Sequence, residues 1–236
     1  VWPLYGAQAQ ASLENAGFSV FSYVFPAGEA SKNGLVFLDL LNTLAQHHVT
    51  RSDLIVALGG GVVGELAGFA AASKTAIDLP AGKNLAGAFC QPSLVLCDID
   101  TLNTLPREIF RDGCAEVIKY GILYDPDLFS HLEEKGLDFD REKVITRCVE
   151  LKRDVVMTDE FDTGLRMKLN LGHTIGHGVE AKSQFALSHG QAVAIGTAIV
   201  TRACGCPDGP RILGLLEAFG LPTCTDYSAA DLYTYT

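Results

Sequence analysis

Leu54-Ile-Val-Ala-Leu58, followed at once by Gly59-Gly60-Gly61-Val62-Val63-Gly64-Glu65, is the stretch on which the fold turns. Five apolar residues in a row, too few for an ordinary helix and ending in glycine, read as a buried strand. The small residues from Gly64 to Ala72 then read as a helix, and strand, glycine turn and helix in that order build parallel sheets. On either side, Phe18–Phe25 reads as a strand, Lys32–His48 as an amphipathic helix burying Leu35, Leu38, Leu41 and Leu44, and Ser93–Asp98 as another buried strand. From Leu105 onward strand signals nearly vanish. Helical periods run through 108–123, 141–157, 172–181, 190–204 and 210–219, with breaks at Pro106, Asp125-Pro126 and Pro207-Asp208-Gly209-Pro210. The expectation is an α/β domain with a parallel sheet over residues 1–104, then an all-α domain over 105–236. The three consecutive glycines let backbone N–H groups approach a phosphate, so a dinucleotide site is one reading. Their spacing is not the usual G-x-G-x-x-G, and a tight strand-to-helix turn reads nearly as well.

Composition narrows the function. With 236 residues, 48% of them hydrophobic, the chain can bury a large core. A formal charge of −10 argues against a nucleic-acid surface, which normally carries a basic stripe. Lys74, Lys83, Lys119, Lys152 and Arg166 nevertheless fall in or beside the glycine- and histidine-rich motifs, as a pocket for an anionic substrate requires. Taken singly, each of these residues reads better as a solvated surface group. Seven cysteines, an odd number scattered through apolar stretches, read as reduced, cytosolic thiols. No apolar run approaches the roughly 20 residues of a membrane span, so a soluble protein is expected.

The chemistry concentrates in Asn170-Leu-Gly-His173-Thr-Ile-Gly-His177-Gly-Val-Glu180 and Ser188-His189-Gly190, which hold half of the chain's six histidines. His173 and His177 are one helical turn apart and share a face. Such pairs are often mere packing residues. Here Gly172, Gly176, Gly178 and Gly190 surround them, where helix interiors avoid glycine, and point to close approach of another backbone or a ligand. Upstream, Glu116 and Lys119 lie three apart on one face of an otherwise apolar helix. Two imidazoles and a carboxylate make a familiar catalytic zinc set with a position left open.

Lys74–Asn84 (Lys-Thr-Ala-Ile-Asp-Leu-Pro-Ala-Gly-Lys-Asn), Gly87–Pro92, Ala115–Gly121 (Ala-Glu-Val-Ile-Lys-Tyr-Gly) and Asn170–His177, together with the glycine turn, resemble the 3-dehydroquinate synthase family, colinearly and over almost the whole chain. The resemblance implies an N-terminal domain that binds NAD and a C-terminal helical domain that carries a divalent metal, zinc foremost and cobalt as the alternative. Carried over residue by residue, it makes Glu116, His173 and His189 the metal ligands. His177 becomes a proton-transfer residue, displacing the pairing of His173 with His177 that helical geometry suggests. Lys119, Lys152 and Asp162 join His177 as catalytic groups. Lys74, Asn84, Arg166 and Asn170, with Lys119 and Lys152, form the substrate set. Glu29, Lys32, Gly60, Gly61, Val62, Glu65, Lys83 and the Thr101–Thr104 turn fall to the cofactor.

The implied reaction converts 3-deoxy-D-arabino-heptulosonate 7-phosphate, a phosphorylated sugar acid, to 3-dehydroquinate and phosphate, in a cytoplasmic homodimer. The sequence departs from the family pattern at Glu65 and Asp162, where aspartate and glutamate are usual. A larger departure lies at Ser73-Lys74: the family places a further strand and a Thr-Thr…Asp-Ser-Ser…Gly-Gly segment between these two residues. The resemblance implies that segments are missing between Ser73 and Lys74 and at the ends of the sequence as given, and it assigns to the missing segments an arginine, an aspartate and a late lysine of the active site. Three other readings stand beside this one: a metal-dependent polyol dehydrogenase, a sugar-phosphate cyclase making a different ring, and a catalytically dead scaffold. Arg166 and Asn170 favour the dehydroquinate branch, because a carboxylated substrate needs a cation that a neutral sugar does not.

Overall fold

The computed structural model describes residues 1–71, 92–233 and, as backbone, the strands 75–79 and 82–88. Two compact units divide it, Val1–Val95 and Leu96–Thr236.

The first unit contains α1 (Trp2–Asn15), α2 (Gly34–Gln46), α3 (Gly61–Ala70), β1 (Thr75–Leu79) and β2 (Gly82–Ala88). Asn33 starts α2 by accepting from the Leu35 and Val36 amides, at 2.9 and 3.1 Å. The buried side of α2 differs from the expected one: Leu40 is buried, whereas Leu35 and Leu38 are 80% and 57% exposed. The reason is geometric. Each i to i+3 step falls 60° short of a full rotation, so a stripe from Leu35 to Leu44 crosses half the helix circumference. Residues nearer i, i+4 spacing hold one face, and Phe37 stacks on Phe69 of α3 at 4.4 Å between ring centroids.

The parallel sheet expected here is absent among the described residues. Their one strand pairing is antiparallel, β1 with β2, with Thr75 opposite Ala88 and Ala76 opposite Gly87. Residues 18–25, 54–58 and 93–98 contain no paired strand, and Leu54, Val56, Leu94 and Leu96 are all more than half exposed. A parallel strand is buried by its neighbours in the ladder and by helices on both faces. An apolar run states a tendency to be covered; it does not supply the cover.

The second unit is helical, as expected: α4 (Arg107–Tyr124), α5 (Pro126–Lys135), α6 (Arg141–Thr158), α7 (His173–Lys182), α8 (His189–Ala203), α9 (Gly209–Ala218) and α10 (Ala229–Tyr233). Side-chain caps fix several starts. Asp125 accepts from the Leu128 amide at 2.9 Å, and Asp140 from the Lys143 amide at 3.1 Å. The core gathers Cys114, Ala115 and Ile118 of α4, Leu128 and Leu132 of α5, Val144 of α6, Ala194 and Ala198 of α8, and Leu215, Leu216 and Phe219 around α9.

Against this core α7 and α8 lie almost backbone to backbone. A Cβ on Gly196 would overlap the Gly172 carbonyl oxygen, one on Gly190 would overlap the Asp112 carbonyl oxygen, and one on Gly176 would come within 3.1 Å of the Ala192 carbonyl oxygen. Gly172 also has φ +78, a left-handed conformation that only glycine adopts without strain. Asp112 reinforces the joint from α4: its carboxylate accepts from the Gln191 amide at 2.9 Å and from the Ser188 hydroxyl at the start of α8. Gly196→Ala is therefore expected to wedge the two helices apart and to cost about 1–3 kcal/mol of stability in this unit. Thermal unfolding followed by circular dichroism checks this. An unchanged midpoint contradicts the close contact.

Candidate metal and substrate site

The paired helices put two histidines at equivalent places. His173 is the first residue of α7 and His189 the first of α8. Both turn Nε2 toward Glu116 of α4, at 3.2 and 3.7 Å from its Oε1. One donor atom from each of the three side chains lies within 4.8 Å of the others. His177, one turn after His173, stands edge-on to it with ring centroids 5.7 Å apart, and 6.4 Å from the His189 ring.

The Nδ1 atoms have separate partners. That of His173 lies 3.2 Å from the Leu171 carbonyl oxygen, and that of His189 lies 3.1 Å from Glu180 Oε1. With both Nδ1 positions facing acceptors, Nε2 is the nitrogen of each ring that faces Glu116 and is placed to meet a cation. Glu116 Oε1 is buried and makes no hydrogen bond. An orphaned carboxylate oxygen facing two imidazole nitrogens suits a divalent cation held by two nitrogens and one oxygen.

Charge is balanced locally. The other oxygen of Glu116 accepts from the Lys119 ammonium at 2.6 Å, and Lys119 is almost completely buried. Burial alone would raise the Glu116 pKa, but His173, His189 and Lys119 together hold it well below the usual carboxylate range. Burial lowers Lys119, with Lys152 of α6 acting the same way and Glu116 opposing. Contacts with Glu116 and then Glu180 push His189 up to about 9.

Another carboxylate shapes the chain that leads into α7. Asp159 accepts from the amides of Thr163, Gly164 and Arg166 at 2.9, 2.8 and 3.0 Å, and these bonds pull its carboxyl down to about 2. The turn it closes holds Asp162 at φ +61 and leads into the short helical turn Leu165–Asn170. Arg166 there donates from Nη1 to the Glu160 carbonyl oxygen at 3.0 Å. Asn170 and Lys152 are exposed.

The residues expected at a cofactor lie partly in each unit. In the first, buried Lys32 is 2.7 Å from Glu65 and 3.6 Å from Glu29. Gly60 precedes α3 with an extended backbone and Gly61 begins it, and a Cβ on either would meet nothing within 4 Å. Val62 follows in the first turn of α3, where amide hydrogens lack helical partners. In the second unit Asp98 caps a short turn at Ile99–Thr104, in which the Thr101 hydroxyl donates to the Asp98 carbonyl oxygen at 2.6 Å and the Thr104 hydroxyl to that of Thr101 at 2.9 Å. Lys74 lies outside the described residues, and the side chains of Lys83 and Asn84 lie outside them as well. Sequence reasoning gave no role to Asp112, Asp159 or Glu180. A carboxylate used on backbone amides leaves no spacing signature; Glu180, three residues after His177, shares its helical face and is the one that pattern could have flagged.

Models of two family domains match the chain: "3-dehydroquinate synthase N-terminal" over residues 22–73 and 72–112, and "3-dehydroquinate synthase C-terminal" over 113–235. A 3-dehydroquinate synthase of Pelobacter propionicus is 44% identical, the match covering 93% of this chain and 71% of that protein. One of Streptococcus suis is 41% identical, over 94% of this chain and 73% of that protein. The chain belongs to the 3-dehydroquinate synthase family.

Solved structures agree on the fold. 2-Epi-5-epi-valiolone synthase from Streptomyces hygroscopicus subsp. jinggangensis 5008, with NAD+ and Zn2+ bound, superposes with a TM-score of 0.88 at 24% identity, over 98% of this chain and 75% of that one. 2-Deoxy-scyllo-inosose synthase complexed with carbaglucose-6-phosphate, NAD+ and Co2+ gives 0.76 at 25% identity, over 90% of this chain and 69% of that one. The 3-dehydroquinate synthase relatives also carry residues that this chain lacks. The Pelobacter alignment runs over 256 positions, more than the 236 residues of this chain, and the N-terminal family model breaks at residues 72–73.

No helix among the described residues is long and apolar enough to cross a membrane. In the metal-free site the proton on His189 competes with a cation for the same nitrogen. Zinc affinity should therefore rise about tenfold per pH unit as pH approaches 9 and level off above it. Chelator competition across that range measures this, and a flat profile contradicts it.

Proposed function

We propose that this chain acts as a 3-dehydroquinate synthase, converting 3-deoxy-D-arabino-heptulosonate 7-phosphate to 3-dehydroquinate and phosphate with NAD and a divalent metal. The observation that carries the reading is the convergence of Glu116, His173 and His189 beside buried Lys119, within the segment matched by the C-terminal family model. The solved structures resembling this fold make other rings, but at 24–25% identity against 40–44% for the curated 3-dehydroquinate synthases.

Glu116, His173 and His189 hold the metal, and two neutral imidazoles with one carboxylate leave it a net positive charge. When bound, NAD takes up and returns one hydride, so no net redox change results, while the metal supplies a Lewis acid at the oxygen concerned. Eliminating phosphate requires loss of a proton from the carbon beside the leaving group. His177 moves that class of proton from a position facing the ligand cluster, with Asp162 as an acceptor. Lys119 and Lys152 set positive charge against the phosphorylated end. Arg166 and Asn170, with Lys74 and Asn84, orient the carboxylate and hydroxyls, and their placement confines the closing aldol step.

Residues 1–104 serve the nucleotide through Glu29, Lys32, Gly60, Gly61, Val62, Glu65, Lys83, Thr101 and Thr104. Residues 105–236 serve metal and substrate. The superposition on NAD-bound solved structures supports this division. A homodimer follows from the family resemblance. A cytoplasmic location is supported by free thiols at the six described cysteines.

Phosphate release from the heptulosonate phosphate, with and without added NAD and zinc, tests the reaction; release requiring both is expected, and none under any condition contradicts it. Arg166→Lys should lose much of the activity and Arg166→Ala more, about 2–5 kcal/mol in kcat/KM, because a point charge cannot replace a bidentate fork on a carboxylate. A substrate analogue with the carboxylate reduced to an alcohol should erase most of that difference. An equal penalty on both substrates removes Arg166 from carboxylate recognition.

A further inference from the structure

Two histidines face the metal position, and they are held differently. His173 is fixed locally: its side chain is 16% exposed and its Nδ1 faces the carbonyl oxygen of Leu171, two residues before it. His189 has no such backbone partner at Nδ1. It begins its helix with the side chain 47% exposed, and its Nδ1 instead meets a side chain from the neighbouring helix, Glu180 of α7, at 3.1 Å. The Glu180 side chain is only 4% exposed. A carboxylate is not buried without purpose, because removing it from water is costly unless a cation or strong donor compensates.

We propose that Glu180 is a positioning residue for the metal: its carboxylate takes the Nδ1–H of His189, locks the tautomer that leaves Nε2 unprotonated, and aims that nitrogen at the cation shared with Glu116 and His173. This rests on the reading of Glu116, His173 and His189 as ligands. The physical argument has three parts. An imidazole ligates through one nitrogen only while the other holds its proton, so an acceptor at Nδ1 selects Nε2 for the metal. A carboxylate acceptor also makes the imidazole a stronger donor than a neutral carbonyl does, so the more exposed ring receives the stronger support. Finally, Glu180 lies seven residues after His173 on the same helix. Two turns of α7 therefore present one imidazole directly and steer the other, so that the relative placement of the two rings follows the α7–α8 packing.

The full chain carrying Glu180→Gln or Glu180→Ala tests this through zinc affinity, by competition with a chromogenic chelator, and through the visible spectrum of the cobalt-loaded protein. Alanine should weaken zinc binding about 10–100-fold. Glutamine keeps the volume and an acceptor oxygen but loses the charge, and should weaken binding by a smaller factor and shift the cobalt bands. The gain in thermal midpoint on adding zinc should shrink in both variants. A purely structural ion pair predicts the opposite: lowered midpoints with and without zinc by equal amounts, with wild-type zinc affinity and cobalt spectrum in the glutamine variant. That result overturns the proposal. Glu116→Ala in parallel separates the two levels, since wild-type zinc affinity in that variant would overturn the ligand reading itself.

Discussion

The contact between α7 and α8 is the constraint on which the site depends. Gly172, Gly176 and Gly196 let the two backbones meet where any side chain would intrude. Because each helix begins with a histidine, bringing the helices together at that distance brings the two rings to 5.1 Å between centroids. The positive end of each helix dipole then faces the same small volume, which is unfavourable for a cation. Glu116, reaching in from α4, supplies the negative charge that makes the volume habitable for one.

Burial sets the electrical character of this region. Lys119, Glu116 and Glu180 are charged groups in or against the core, and each has an opposite partner within hydrogen-bonding distance or close to it. Charges arranged in this way do little for stability, since desolvation consumes most of what pairing returns. They hold orientation. Lys119 and Glu180 place buried charge around this point, whereas buried Asp125 and Asp159 are used on backbone amides at a helix start and a turn.

How much of this was legible in the sequence differs between the two units. The helices of the second unit were readable because their periods, prolines and capping aspartates are local signals, and Asp125 and Asp140 act as such caps. The histidines were readable as a group, but not as a geometry. Helical spacing pairs His173 with His177, whereas the structure groups His173 with His189 and Glu116, a relation set by packing between helices that no spacing encodes. The glycines at 172, 176 and 190 announced a close approach without naming the partner. Gly196 went unnoticed, although its Cβ would strike Gly172. In the first unit the apolar runs at 54–58 and 93–98 carry a genuine tendency to be strands. Pairing needs neighbours that lie elsewhere in the chain, and an apolar run does not specify them.

X-ray absorption at the zinc edge of the zinc-loaded chain tests the central claim most directly, that α4, α7 and α8 together form one nitrogen- and oxygen-lined metal centre. The account predicts two imidazole nitrogens and one or more oxygens at about 2.0–2.2 Å, with no sulfur, although the chain contains seven cysteines. A sulfur shell near 2.3 Å, or three imidazoles in place of two, would contradict it.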